Sequence, residues 1–146
     1  MSDVLRLRLP LTRVAAKRMR SSIAGLLSEG GVPPRAAREV LLAADEAFIN
    51  AFMHSGDATG LVEVRAEVGA DRVIVEIRDR GGGFDPRSVD VKALPDPLAT
   101  HGRGLFLIHH LMDDVEVRSR QRSAGTLVRM VKGFSRRRTT VAGLTD

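Results

Sequence analysis

The stretch RVIVEIRDRGGGFDP, residues 72 to 86, decides how the rest of the chain is read. Val73, Val75 and Ile77 recur at period two, the mark of a strand with one buried face, and the strand delivers Asp79, which Arg80 separates from Gly81, Gly82 and Gly83. An aspartate before glycines often does no more than start a turn. Glycines also let a backbone approach a flat or charged ligand closely, and a carboxylate at that point can accept hydrogen bonds from an exocyclic amine such as that of adenine. Both readings stay open on this stretch alone.

Upstream, Val62, Val64, Ala66 and Val68 alternate with Glu63, Arg65 and Glu67, and a Gly69-Ala70-Asp71 turn joins them to the first strand as a hairpin. Further back, Leu5 to Leu9 alternates apolar and basic residues and predicts a short strand stopped by Pro10. Residues 11 to 28 suit a helix with Val14, Ala15, Met19, Ile23, Leu26 and Leu27 at helical spacing, closed by Gly30 and Gly31. A second helix starts near Pro33 and Pro34, which a first turn tolerates, and runs to about His54. Downstream, no period holds from Phe84 to His101, a loop of functional length. A third helix follows over Gly104 to Met112, then a second hairpin of Val115–Arg120 and Thr126–Lys132 around Gly125. The pattern predicts one domain over residues 1 to 134 and a basic, disordered tail over 135 to 146, inert for function.

The composition of 146 residues supports a single core, with 43% hydrophobic content. Without cysteine there are no disulfides, thiolate metal sites or thiol nucleophiles. No stretch reaches the roughly 20 apolar residues of a membrane span, and Met1 to Pro10 carries no signal-peptide core, so a soluble cytoplasmic protein without membrane contact is expected. The net charge of +5 raises nucleic acid as a partner. The basic residues are scattered, save Arg136 to Arg138, and 3% aromatics leave little to stack on bases, so no nucleic-acid role is expected. A solvated basic surface, matched to an acidic protein partner, accounts for the charge.

Two further clusters carry chemistry. In ADEAFINAFMHS, residues 44 to 55, Glu46, Asn50 and His54 recur at i, i+4 and i+8 and so line one stripe of the second helix. Leu41, Leu42, Ala44, Phe48, Ile49, Phe52 and Met53 cover most other directions, predicting a mostly buried helix whose polar stripe needs partners. A ligand or metal could supply them, and so could water along an ordinary polar edge. Asp45 lies off the stripe and has no assignment. In HGRGLFLI, residues 101 to 108, Gly102 and Gly104 stand where free helix amides favour a phosphate, with the Arg103 guanidinium between them. Alone, such a Gly-x-Gly is often only a tight loop.

In this order, Glu46 to His54, Asp79 to Phe84 and Gly102 to Leu105 resemble the N, G1 and G2 boxes of the ATPase superfamily shared by gyrase, histidine kinases and a heat-shock chaperone. The resemblance spans residues 5 to 132. Within that superfamily, the short form with Gly-Arg-Gly-Leu is similar to the bacterial anti-sigma factor serine/threonine kinases. It implies an α/β (α+β) two-layer sandwich of the Bergerat type, a mixed, mainly antiparallel sheet with helices on one face and ATP between helices and lid. Residues 84 to 101 would be that lid.

The same resemblance implies roles. Asn50 would coordinate Mg²⁺ and Glu46 would act as general base, with Arg103 stabilising charge on the transferring group. Asp79 would hold the adenine amine, with Gly81 and Gly83 giving clearance, and Thr126 would complete the adenine pocket. Gly102, Gly104 and Leu105 belong to the phosphate box. His54 fits the N box, as ligand contact or as a packing residue. The implied substrate is a STAS-domain anti-anti-sigma protein, and a homodimer would hold a sigma factor. The alternatives are a nucleotide-dependent binding module without phosphotransfer, which would need no base at Glu46, and a histidine-kinase catalytic domain, for which no upstream dimerisation helix is present.

Overall fold

A computed structural model of the chain describes residues 3–54, 60–79, 103–120 and 125–136, with the side chains of 52–54, 103, 104, 119 and 120 excepted. Its elements run β1 (Asp3–Pro10), α1 (Arg13–Glu29), α2 (Pro34–His54), β2 (Leu61–Val68), β3 (Arg72–Asp79), α3 (Arg103–Leu111), β4 (Asp114–Arg120) and β5 (Gly125–Gly133). The five strands form one sheet in the order β1-β2-β3-β5-β4. All four pairings among the described residues are antiparallel, so the mixed sheet expected from the sequence reduces here to its antiparallel part. Short hairpins impose this between β2 and β3 and between β4 and β5, because a parallel neighbour would need a long crossover.

Register makes one face of the sheet apolar from edge to edge. Leu7, Val64, Ile77, Val128 and Val117 stand side by side across the five strands, and Leu5, Ala66, Val75, Met130 and Val115 form the next row. The three helices cover this face, and the core lies between the two layers. The opposite face carries charge: Arg65 contacts Glu67 at 2.7 Å and Glu76 at 3.5 Å, and Arg129 reaches Glu76 at 3.7 Å. Partly exposed pairs of this kind contribute at most about 1 kcal/mol each, so the apolar layer holds the fold together.

Helix α1 begins where the Thr12 side chain, on extended backbone, accepts the Ala15 amide at 3.1 Å. Ala15, Met19, Ile23 and Leu27, one turn apart, are its buried line. Val14, counted among the core-facing residues from its spacing, is 80% exposed. The helix settled its phase on the four-residue repeat, which turns position 14 to solvent. In α2, likewise, Leu42 and Ile49 are 46% and 49% exposed rather than buried. The small residues Ala36, Ala43, Ala44, Ala47 and Ala51 bury the other side and let α2 lie close to the sheet.

The end of α1 is tied from a distance. Gly31 adopts φ +72°, a left-handed conformation that glycine takes without strain. Arg136 donates to Gly30 O at 2.5 Å, to Ala70 O at 3.0 Å and to Gly69 O at 3.1 Å, and its guanidinium lies 5.3 Å from the Phe134 ring. Arg136 falls in the stretch read as tail, yet it joins the C-terminus of α1 to the β2–β3 turn. Residues 137 to 146, like the stretch 84 to 101 expected to form a lid, lie outside the described residues.

Candidate active site

Strand β3 ends on Asp79, whose period-two alternation puts its side chain on the helix-covered face with Val73, Val75 and Ile77. Asp79 is buried. On β5, Thr126, Val128 and Met130 are buried on the same face. The register Arg78 to Leu127, carried one step further, brings Thr126 beside Asp79. Helix α2 ends at His54, and the chain re-enters the sheet at Leu61, whose neighbour Val62 pairs with Asp79. The last turns of α2 therefore lie at the end of the sheet that carries Asp79 and Thr126. Asn50 is buried there, and Glu46 one turn earlier is half-buried.

The hydrogen bonding at this end is incomplete. Asn50 Nδ2 and Thr126 Oγ1 are buried and have no partner among the described residues. A buried polar atom left unpaired costs roughly 1–3 kcal/mol, so two at one end of the fold call for a compensating group. This is an observation the stripe alone could not supply: an ordinary solvated polar edge would leave Asn50 wet rather than buried. Burial, and then the adjacent Asp45 charge, raise the pKa of Glu46 above its ordinary value. A carboxylate poised in this way takes up a proton more readily, as a general base must.

Asp45, unassigned from the sequence, accepts an ion pair from Arg20 of α1 at 3.4 Å. It thus ties α1 to α2 while its charge acts on Glu46. No local pattern links residues 20 and 45, since the contact depends on how the two helices pack.

The remaining expected residues divide by location. Leu105 is buried in the core at the first turn of α3, which carries the box into the helix layer. Arg103 and Gly104 form the first backbone positions of α3, and His54 the last of α2. Their side chains lie outside the described residues, as do Gly81, Gly83 and Gly102 entirely.

These residues suit ATP. Asp79 and Thr126 can hold a flat ring with an amine edge against the sheet, while the N-terminus of α3 can receive phosphate. Among the described residues no group of three or more His, Cys, Asp or Glu side chains could hold a metal ion. A single amide oxygen such as that of Asn50 suits Mg²⁺, which usually takes one or two protein ligands beside water and phosphate oxygens. Among the described residues no helix is long and apolar enough to cross a membrane.

Comparison with known proteins agrees with the geometry. The family model of the histidine kinase-like ATPase domain matches residues 9–132. The serine-protein kinase RsbW of Bacillus pumilus is 31% identical over 147 residues, 93% of this chain and 89% of that protein. The RsbW of Staphylococcus aureus is 28% identical over 140 residues, 89% of this chain and 86% of that protein. Among solved structures, the RsbU and RsbW domains of a Mycobacterium tuberculosis protein share the fold with a TM-score of 0.66 at 18% identity, covering 89% of this chain and 32% of that one. In the SiaB–SiaC complex from Pseudomonas aeruginosa the TM-score is 0.62 at 14% identity, over 89% of this chain and 88% of that one. Fold, boxes and relatives converge: the chain belongs to the histidine kinase-like ATPase domain family, in its branch of RsbW-type anti-sigma factor kinases.

Proposed function

We propose that this protein is an ATP-dependent serine/threonine kinase that phosphorylates a STAS-domain anti-anti-sigma protein and, as a homodimer in the cytoplasm, sequesters a sigma factor. The observation that carries the nucleotide part is the pair of buried, unpartnered polar atoms, Asn50 Nδ2 and Thr126 Oγ1, at the same end of the fold as Asp79. The relatives named serine-protein kinases carry the reaction type, and the sigma factor and homodimer follow from the family expectation.

In the proposed reaction, the acceptor hydroxyl forms a bond to the γ-phosphorus of ATP as the bond to the ADP oxygen breaks, and the hydroxyl proton passes to Glu46. Asp79 and Thr126 orient the adenine. Amides at the N-terminus of α3 and the Arg103 side chain receive phosphate charge. Mg²⁺ bound at Asn50 would supply charge neutralisation between phosphate oxygens.

A protein acceptor must bring its hydroxyl to Glu46, and the surface around that residue suits such docking. Leu42 and Ile49, about one turn to either side, are half-exposed apolar side chains. Residues 13 to 20 of α1 add Arg13, Lys17, Arg18 and Arg20 with no acidic residue. An acidic partner face with an apolar centre would complement this ridge.

The direct test is calorimetric titration with Mg-ATP. Asn50→Ala should lower affinity at least about tenfold, the scale of one lost charge-assisted contact, and abolish phosphotransfer. An Asn50→Ala chain with unchanged affinity and rate would refute the assignment.

A further inference from the structure

Lys132 is an unexpected residue where it stands. On β5 it continues the helix-covered face of Thr126, Val128 and Met130 and pairs with the fully buried Val73. Its side chain is only 14% exposed. An ammonium on an apolar face is costly unless paired, and a Leu or Met would fill the same space. Its Nζ donates to Leu111 O, at the C-terminus of α3, at 2.7 Å, and meets Glu39 Oε1 of α2 at 3.1 Å. A cation at a helix C-terminus is favourable toward the helix dipole. Lys132 therefore touches three of the four elements that build the site, the strand of Thr126 and the two helices.

It touches them at the end far from the site. Glu39 lies eleven residues before Asn50, about 16 Å along the helix axis. Thr126 lies six residues before Lys132, about 20 Å along the strand. Leu111 closes α3, whose other end carries Gly104 and the phosphate box. The Asp113 side chain accepts the Gly133 amide at 2.6 Å, and the Asp113 amide donates to Val131 O at 2.9 Å, so the α3 C-terminus is already fixed to β5. Apolar packing already seats α3 against α2, and Lys132 adds a polar tie at one end of that contact, from the C-terminus of α3 to Glu39.

We propose that Lys132 is a positioning residue for the reaction: by joining Glu39 to the C-terminus of α3 it fixes the angle between α2 and α3, and hence the gap between Asn50 and the phosphate-binding N-terminus of α3. The inference rests on the nucleotide reading given above and adds a residue that touches neither ATP nor acceptor. A small rotation about the C-terminus of a nine-residue helix is magnified at its N-terminus, and a displacement of about 1 Å at a reacting group can cost up to about a hundredfold. The adenine contacts lie on the sheet and are not moved by that rotation.

The test separates the two halves of the ligand. Lys132→Met, and the double variant Glu39→Gln/Lys132→Met, which leaves no unpaired charge, would be titrated with Mg-ATP by calorimetry and with adenosine by NMR shift perturbation. Thermal unfolding checks that both variants fold; the double variant removes both charges at once, so neither partner is left ionised and unpaired. The expected result in both variants is an ATP affinity lowered about tenfold, with adenosine affinity unchanged. Equal losses for both ligands, or no loss for either in the folded variants, would overturn the proposal. A wild-type chain that binds neither ligand would overturn the nucleotide reading itself and this inference with it.

Discussion

Glu46 concentrates the residue-scale argument, because the same environment that suits it for proton uptake works against stability. Burial and the Asp45 charge raise its pKa, so the folded state favours the protonated carboxyl. Below the ordinary glutamate value the fold keeps that preference in full, and as pH rises through the raised pKa it is lost, leaving a charged, half-buried group at neutral pH. Glu46→Gln should therefore leave the melting temperature at pH 7 equal or higher, while phosphotransfer falls by about 10²–10⁴-fold. The gain should vanish when melting is repeated below pH 4. A variant that melts lower at pH 7, or that keeps its transfer rate, would contradict the assigned role. Asp45→Asn tests the second cause: with the neighbouring charge gone, the acid limb of the pH–rate profile should move to lower pH. An unmoved limb would mean that Asp45 serves only its ion pair with Arg20. The stripe of Glu46, Asn50 and His54 was legible in the sequence, since helical spacing alone aligns it. The pairing of Asp45 was not, because it depends on the packing of a helix twenty-five residues away.

At the scale of elements, periodicity located every strand and helix among the described residues to within two residues at most ends, and it failed where phase rather than existence was at issue. Val14 fits a broad apolar stripe on α1, but the buried line is Ala15, Met19, Ile23 and Leu27, with Leu26 packed along its edge and Val14 turned to solvent. The outcome is measurable. Val14→Lys should change stability by less than about 0.5 kcal/mol, whereas Met19→Ala should cost about 2–5 kcal/mol in denaturant unfolding. Comparable losses for the two would mean that the phase of α1 is misassigned. Leu42 and Ile49 misled for a different reason. Apolar side chains on a helix signal burial against something, and on α2 that surface is the one on which we propose a partner docks. The Arg136 anchor was also illegible, because an arginine in a polar tail gives no sign that three backbone carbonyls converge on it.

On the scale of the whole molecule, one layer of helices over one antiparallel sheet puts the polar chemistry at a single end, where β3 ends, β5 begins and α2 runs out. The sheet order could not be derived from strand patterns, since β5 inserts between β3 and β4 only after α3 has crossed the layer. The resemblance of the three boxes implied the two-layer fold with helices on one face of the sheet, but not the order of its strands. The central claim is that the gathered residues transfer phosphate to a protein hydroxyl. Its most direct test is incubation with γ-labelled Mg-ATP and each STAS-domain protein encoded in the source genome, with the labelled residue mapped by mass spectrometry. The account predicts label on one serine or threonine of a STAS protein with the wild-type chain, and none with Glu46→Gln although that variant still binds ATP. ATP binding without any labelled STAS protein, or equal labelling by Glu46→Gln, would contradict it.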